Sequence, residues 1–427
     1  MMTEAFLSYV WKMRLYNPDG LHCTTGEPVT VFATGESHNT SGPDFFNAKI
    51  RIGDTLWAGN VEIHINSSDW LKHGHQHDGA YQNIILHVVY DADIPLVNEA
   101  GVAIPTLELR QAIDPKLYRN YLLLLSDARW IPCEKFFSQI DGFTLTNWLD
   151  RLLVERMEQK TKPIMQVLEQ NLHNWEETFY QFLARGLGAK VNAEPFEQLA
   201  KSLPAVVLAK YKDHLFQVEA LLFGQAGLLE QDFKDDYPNA LRKEYSFLQK
   251  KHQLQPLPAH LWKFGGLRPP NFPTIRLAQL ALLIHQSANG LFSHILETET
   301  IETYRNMFHV ELSGYWQNHF VFDKESKPTT KHLGNTTIDT IIINTIAPVL
   351  FVYGSARDIP ELKDKALQLL EQVPPESNSI VDHWKALGMK AENAFQTQAQ
   401  LQLYNEYCRH KRCLQCAIGN KLVRAND

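Results

Sequence analysis

Apolar and polar residues alternate along the first part of the chain, which predicts a β-sheet. The Gly53-Asp54 pair separates two such runs and predicts a hairpin turn, since glycine takes positive φ at no steric cost. A helix is expected before the sheet, over residues 5–16, and another over residues 70–78, with Ser68-Asp69-Trp70 as its N-terminal cap. Strands are expected over residues 28–32, 45–52, 55–65, 83–90 and 103–109.

After residue 114 the pattern changes, and apolar residues recur every three or four positions, which predicts helices. The sequence therefore predicts two domains. An α/β N-terminal domain, a mixed sheet with flanking helices, is expected over residues 1–125, and a mostly α-helical domain with a C-terminal cysteine cluster over residues 126–427. The expected helices cover residues 115–127, 145–172, 175–186, 194–203, 205–224, 237–251, 275–285, 301–314, 338–353, 359–370 and 391–410.

Composition narrows the class of protein. With 427 residues, of which 44% are hydrophobic and 21% charged, the chain can bury a large core. Its first 16 residues mix charged and apolar side chains too closely for a signal peptide, and no run approaches the roughly 18 apolar residues of a membrane span. We therefore expect a cytoplasmic protein without a membrane partner. The net charge of −7 neither supports nor excludes nucleic-acid binding, and the sequence does not indicate an oligomeric state.

Two carboxylates are predicted to meet near the hairpin. Alternation along residues 56–66 puts Glu62 and His64 on the same face of their strand. Asp44 directly follows Pro43 at the start of the partner strand, so a hairpin brings its carboxylate toward Glu62. Two converging carboxylates suit Mg²⁺ or Mn²⁺, which take oxygen ligands and keep several waters. Such an ion polarises a phosphodiester and activates water.

The order Pro43-Asp44, hairpin, Glu62-Ile63-His64 resembles the PD-(D/E)XK nuclease superfamily, which carries Pro-Asp at the start of one strand and Asp/Glu-X-Lys on the next. The resemblance implies a restriction-endonuclease-like fold in which Asp44 and Glu62 hold the metal. It also implies a catalytic role for His64, which stands in place of the lysine. Lys49 substitutes only if its side chain reaches across from the preceding strand, and Glu36 is the candidate for the upstream carboxylate that often assists.

The whole chain is also similar to a bacterial family of unknown function, the DUF2851 proteins. The similarity rests on Gly42-Pro43-Asp44-Phe45, Val61-Glu62-Ile63-His64, Ser67-Ser68-Asp69-Trp70 and the terminal Cys413-Leu414-Gln415-Cys416-Ala417-Ile418-Gly419. It spans nearly all of the chain and implies no established activity.

A group of histidines follows the two carboxylates and offers a different metal site. His73 and His77 share one face of the expected helix at i, i+4 spacing, as metal-binding pairs do. A zinc hydrolase is therefore an alternative, with ligands from His64, His77, Asp78 and His87. The competing interpretations are a hydrogen-bonded core histidine for His87 and solvated loop residues for His73 and His75. Likewise, Ser41-Gly42-Pro43-Asp44 is a good turn sequence, and polar residues on alternate strand positions suit a half-exposed sheet.

The cysteines suggest a second bound group. Cys408-X4-Cys413-X2-Cys416 has a spacing that suits Zn²⁺ or an iron–sulfur cluster, and Cys133 is the distant candidate for the fourth ligand. Buried, reduced thiols at a helix end are the alternative interpretation.

These patterns together predict a metal-dependent phosphodiesterase, or nuclease-like protein, that acts on nucleic acid. The competing hypotheses are a non-catalytic interaction or scaffold protein that retains the fold, and a zinc-dependent hydrolase that uses the histidines from His64 to His87. Because a histidine replaces the expected lysine, the sequence leaves open whether the protein is an enzyme.

Overall fold

A computed structural model describes residues 2–37, 41–98, 101–287 and 290–425. The chain divides into two compact units, the first made of residues 1–148 and 403–427 and the second of residues 149–402. This division differs from the expected one at 125/126 because the end of the chain returns to the first unit. There the side-chain amide of Asn120 donates to the carbonyl oxygens of Val423, at 3.2 Å, and Ala425, at 3.1 Å.

The first unit contains a six-stranded mixed sheet with the order β1-β3-β4-β5-β6, in which β2 pairs with β3. The β1/β3 and β3/β4 pairs are antiparallel, whereas β4/β5 and β5/β6 are parallel. The predicted mixed α/β architecture is thus confirmed for this part of the chain. The strands are β1 (Val29–Ala33), β2 (Glu36–Ser37), β3 (Phe45–Ile52), β4 (Thr55–Asn66), β5 (Ile84–Asp91) and β6 (Thr106–Glu108).

The hairpin between β3 and β4 is formed as its turn sequence predicts. Ile52 pairs with Thr55, and Gly53 takes φ 58° in the turn between them. Further along β3 the register shifts between Phe45 and Ala48, where Asn47 takes the left-handed conformation with φ 58°. This irregularity separates the regular part of the hairpin from the start of β3, which carries Asp44.

Helices α1 (Glu4–Lys12), α2 (Asp69–Lys72), α3 (Pro115–Ser126) and α18 (Ala417–Val423) lie in the first unit. Helix α1 packs against β4 and buries Phe6, Leu7, Val10 and Trp11 completely. The expected helix over residues 70–78 is wrong, because α2 ends at Lys72 and Gly74 turns the chain with φ 76°. Two 3₁₀ turns follow, at His75–His77 and Gly79–Tyr81.

The second unit is mostly helical, as the periodicity predicts, with two small two-stranded sheets. Helix α4 (Gly142–Gln170) spans the boundary. The helices that follow are α5 (Trp175–Leu187), α6 (Ala193–Ser202), α7 (Ala205–Ala209), α8 (Leu215–Gln225), α9 (Asp236–His252), α10 (Pro273–Gln286), α11 (Leu291–Glu297), α12 (Ile301–Phe308), α13 (Asn335–Ile341), α14 (Ala347–Arg357), α15 (Pro360–Gln372), α16 (Ser379–Ala386) and α17 (Ala394–Gln402). The strands are β7 (Glu311–Leu312), β8 (His319–Val321), β9 (Lys324–Glu325) and β10 (Lys331–His332).

One stretch of the second unit departs from the expectation that no segment is long and apolar enough to cross a membrane. Helices α13 and α14, joined by a π-helical turn, form a continuous helix over Asn335–Arg357 that passes this test by length and composition. Of its most apolar 18-residue window, 72% is buried inside the protein. The core helices of soluble proteins pass the same test, so the helix is weak support for insertion.

Candidate metal centre

The central strand β4 carries Glu62 and His64 into the interior. Their exposed fractions are only 5% and 1%, because β3 and β5 flank the strand and residues 67–81 fold over this face. The half-exposed sheet that alternation also allowed is therefore not formed at these positions. Both side chains lie in a setting where an unpaired polar group is costly.

The start of β3 brings Asp44 directly against Glu62. The backbone N–H of Asp44 donates to Glu62 Oε2, and that of Ile63 donates to Asp44 Oδ2, each at 3.1 Å. Burial, partly offset by the Ile63 bond, raises the pKa of Asp44 to about 6, while burial and the neighbouring Asp44 carboxylate raise the pKa of Glu62 to about 8. Glu4, at the start of α1, adds negative potential to both. Burial thus keeps Glu62 mostly protonated at neutral pH, and a positive charge placed beside the pair would favour the charged carboxylates.

Three imidazoles complete the cluster around Glu62. His64 Nε2 lies 3.0 Å from His73 Nδ1 and 3.6 Å from Glu62 Oε1. His75 Nε2 approaches the same Glu62 oxygen at 3.4 Å. Within the described ranges, His64, His73 and His75 are the set of three residues whose ligand atoms come within 4.8 Å of one another. We call these three residues and Glu62 the metal centre.

The spacing of these atoms suits a single small ion. Ligands at 2.0–2.1 Å from a tetrahedral Zn²⁺ are about 3.3 Å apart. Three of the separations within the metal centre are 3.0, 3.4 and 3.6 Å. The ligand atoms that all lie within 4.8 Å of one another are those of the three histidines, so these three can share one ion, and Glu62 contacts two of them from the side.

The protonation state of the imidazoles also suits metal binding. Burial, together with the neighbouring histidines, lowers the pKa of His64 to about 3, and burial lowers the pKa of His75. Neutral imidazole is the form that binds a metal. His75 Nε2 is buried and has no hydrogen-bond partner among the described residues, so one of its lone pairs or protons is unused.

His87, on the neighbouring strand β5, contacts the ring nitrogen of His64 that faces away from Glu62. His87 Nε2 lies 2.9 Å from His64 Nδ1, and its side chain is fully buried. A histidine that binds a metal through one nitrogen usually donates a hydrogen bond through the other, and His87 Nε2 is placed to accept it. His87 is thus a buried, hydrogen-bonded histidine, as the competing interpretation expects, and lies behind His64.

Residues 67–78, which follow β4 and carry His73, His75 and His77, are called the histidine loop. Their first part, Ser67–Trp70, holds this loop in place. Ile94 N–H donates to Ser67 Oγ at 2.9 Å, and Ser68 N–H donates to Asp93 Oδ1 at 2.8 Å. These bonds fix Trp70, whose ring meets those of His75 and His87 edge-on at 5.3 Å. The N-terminal side of α2 is therefore anchored to residues 93 and 94, which follow β5, and Trp70 packs against His87 of β5.

The remaining predicted site residues lie outside the metal centre. Glu36 is exposed on β2, and Glu4, at the start of α1, is exposed as well. Lys49 pairs with Ala58, four residues or about 13 Å along β4 from Glu62, so it does not replace the missing lysine. His77 is exposed, and Asp78 is exposed and accepts a hydrogen bond from Ala80 N–H.

His73 is exposed at the C-terminal end of α2, as the interpretation of a solvated residue expects, whereas the His75 side chain is only 11% exposed. The i, i+4 pair of His73 and His77 does not form, because the helix ends before it. Gly74 allows the left-handed turn that returns His75 toward Glu62. A glycine between two histidines was the local signal for this geometry.

A cavity of about 610 Å³ lies beside the metal centre. Its lining includes His75, Trp70 and Tyr81, and Trp57 forms part of its wall with 48% of its surface exposed. The metal centre therefore borders a space large enough for a small molecule or for part of a polymer.

The four predicted cysteine ligands also come together in the first unit, all of them buried. They are Cys133, Cys408, Cys413 and Cys416.

No curated protein and no solved structure matches this chain. A family model described as "Protein of unknown function (DUF2851)" matches residues 4–379, a span that contains the metal centre and Cys133 but ends before Cys408. Because the match covers most of the 427 residues, the chain belongs to the DUF2851 family.

Proposed function

We propose that this protein is a metal-dependent hydrolase that cleaves phosphodiester bonds in nucleic acid. The observation that carries the proposal is the convergence of Glu62 Oε1 and His75 Nε2, 3.4 Å apart, with His64 Nε2 3.6 Å from the same oxygen. A divalent ion at this point supplies the positive charge that the two buried carboxyls attract. When bound, it polarises a phosphoryl oxygen and lowers the pKa of a water molecule.

The donor set favours Zn²⁺, with Mn²⁺ as the second choice. Imidazole ligands suit borderline transition metals, whereas Mg²⁺ prefers oxygen ligands and keeps several waters. We therefore propose an ion that is bound mainly by histidine nitrogens, and not the Mg²⁺ that Asp44 and Glu62 led us to expect from the sequence. Asp44 contributes by holding Glu62 through its backbone N–H.

Three features support the phosphodiester class and a restriction-endonuclease-like arrangement. Asp44 directly precedes β3 and Glu62 lies on β4 of an antiparallel hairpin, which is followed by the parallel strand β5. Glu4 adds a third carboxylate from α1, which packs against β4. The cavity wall carries Trp57 and Tyr81, flat side chains of the kind on which nucleic-acid bases stack.

A structural metal site is the second candidate, and the burial of the ligands favours it. Structural zinc sites have four protein ligands, whereas catalytic sites keep one position for water or substrate. Glu62 and His64 are almost fully buried, but His73 is exposed at the edge. If all four side chains bind the ion at once, the site is closed and the protein is not a hydrolase at this centre.

Metal content and cleavage of a defined substrate test the proposal. Purified protein is stripped with a chelator and titrated with Zn²⁺, Mn²⁺ or Mg²⁺, and bound metal is measured by mass spectrometry. We expect one Zn²⁺ or Mn²⁺ per metal centre, with affinity reduced at least about tenfold in His64→Ala and His75→Ala. His77→Ala is the matched control, since it removes an exposed histidine of the same loop.

Cleavage of single- and double-stranded oligonucleotides and of a bis-aryl phosphodiester is then compared between the wild type and Glu62→Gln. We expect hydrolysis by the zinc- or manganese-loaded wild type and by His77→Ala, and a loss of at least about a hundredfold in Glu62→Gln. Metal binding without any hydrolysis supports the structural site. Equal metal content in the wild type and in His64→Ala overturns both candidates.

A further inference from the structure

Four of the five cysteines form a cluster that is separate from the metal centre. They come from three short segments of the first unit. Cys133 precedes a 3₁₀ helix at Glu134–Gln139, and Cys408 ends a π-helical turn at Leu403–Cys408. Cys413 begins the 3₁₀ turn Cys413–Gln415, and Cys416 is the N-cap of α18. We call these four residues the thiol cluster.

All four thiols are buried, and none forms a disulfide. Their exposed fractions are between 6% and 9%. Burial raises the pKa of every thiol in the cluster, and Cys408 is influenced in addition by each of the other three, which places all four within electrostatic range of one another. The fifth cysteine, Cys23, is buried more deeply, with 4% exposed, and its charged neighbour is Glu27 and not another thiol.

Burial raises the pKa of Cys416, and two backbone N–H groups offset part of this effect. They are those of Ile418 and Gly419, at the start of α18, and they point at its sulfur. N–H groups aimed at sulfur stabilise the anionic form and are a feature of cysteines that bind metal clusters. Residue 419 has no space for a side chain, because a Cβ there would lie 2.1 Å from the Cys413 carbonyl oxygen.

The spacing of the thiols distinguishes between a single ion and a larger group. Sulfur atoms at about 2.3 Å from a tetrahedral zinc are about 3.8 Å apart. Among the described residues, the three ligand atoms that all lie within 4.8 Å of one another belong to histidines. No three of the cysteine sulfurs are therefore as close together as 4.8 Å. A cluster of several irons and sulfides holds its cysteines further apart, since each thiolate binds a different corner.

We propose that the thiol cluster binds an iron–sulfur cluster, which ties the C-terminal segment 408–416 to Cys133. Four thiol protons leave to solvent and four iron–thiolate bonds form, while ferrous iron, ferric iron and inorganic sulfide enter together, so that no net oxidation or reduction is required. The exposed loop between Cys408 and Cys413, which consists of Arg409, His410, Lys411 and Arg412, offsets the negative charge of the bound cluster. Lys411 also donates to the Leu125 carbonyl oxygen at 2.8 Å, closing the loop against the end of α3.

The test is anaerobic reconstitution of the full chain with iron and sulfide, followed by iron and sulfide analysis and visible and electron paramagnetic resonance spectra. We expect iron and sulfide in equal amounts and a broad visible absorption that is bleached by dithionite. Cys133→Ala and Cys416→Ala should each lose most of the bound iron, whereas the matched control Cys23→Ala should keep it.

A second measurement keeps the result interpretable if an alanine variant fails to fold. In the reconstituted wild type, alkylation of thiols before and after cluster removal is followed by mass spectrometry. We expect the four thiols to be protected before removal and labelled after it, with unchanged labelling of Cys23. Wild-type protein that takes up zinc but no iron, or that shows the same labelling before and after removal, would overturn the proposal. His64→Ala should keep the iron, so this result is independent of the metal centre.

Discussion

Burial decides the charge state of individual side chains in this protein, and Glu219 in α8 shows this away from the proposed sites. The carboxyl is 6% exposed, accepts a hydrogen bond from Trp316 Nε1 at 2.9 Å and accepts another from the Tyr237 hydroxyl. Burial raises the pKa of Glu219 even though both bonds favour the charged form. Its polar contacts therefore compensate only part of the desolvation cost.

We predict that Glu219→Gln becomes more stable relative to the wild type as pH rises. The folded protein binds the Glu219 proton more tightly than the unfolded chain, so this group's contribution falls as pH rises above the ordinary value of 4.5. Glutamine keeps one of the two acceptor oxygens and has no charge to bury. Urea unfolding of both proteins from pH 4.5 to pH 8 measures the difference, and parallel profiles would contradict the prediction.

At the scale of elements, regular segments follow their local sequence and the histidine loop does not. The β3/β4 hairpin forms where Gly53 and the flanking alternation indicate it. The loop after β4 was predicted as one helix, because its residues up to Asp78 carry no strong breaker except Gly74. Ser67 is hydrogen-bonded to Ile94, which follows β5, and Trp70 packs against His87 of β5. These tertiary contacts determine the path of the loop, and local helix propensity does not include them.

At Gly59, β4 lies very close to the start of β5, and a substitution at this position tests the importance of that close approach. A Cβ at this position would lie 2.4 Å from Ile85 Cγ2 and 2.9 Å from the Asn83 carbonyl oxygen. We expect Gly59→Ala to destabilise the protein by about 1–3 kcal/mol, because a well-packed interior cannot accept the added methyl group without shifting the backbone.

Gly79→Ala is the control for this change, since nothing lies within 4 Å of a Cβ there. Chemical unfolding, followed by tryptophan fluorescence, should give a lower midpoint for Gly59→Ala and a nearly unchanged one for Gly79→Ala. Equal midpoints would show that β4 and β5 can separate at no cost.

At the scale of the whole molecule, a bound ion should stabilise the folded chain by mass action. A ligand that binds only the folded state adds about 2.7 kcal/mol when its free concentration is a hundred times the Kd. We expect zinc to raise the unfolding temperature of the wild type and of His77→Ala, and a chelator to reverse the rise. The double variant His64→Ala/His75→Ala should show no such shift, and an equal shift in this variant would place the zinc elsewhere.

The sequence by itself determined the α/β character of the first part, the helical character of the second, the hairpin and the shared face of Glu62 and His64. These features depend on residue period and turn chemistry, which act over a few positions. It also indicated that Asp44 lies near Glu62, although the register shift between Phe45 and Ala48, which the turn position does not predict, sets their final contact.

Only the tertiary structure decided which other side chains join them. Glu4 arrives from α1, and His73 and His75 come from a loop that folds back, so their positions depend on packing between segments distant in sequence. The return of residues 403–425 to the first unit, which brings three cysteines to Cys133, depends in the same way on burial of α18 against α3. The burial of apolar surface does not specify which distant segments pack together. The periodicity of the sequence therefore could not predict these contacts.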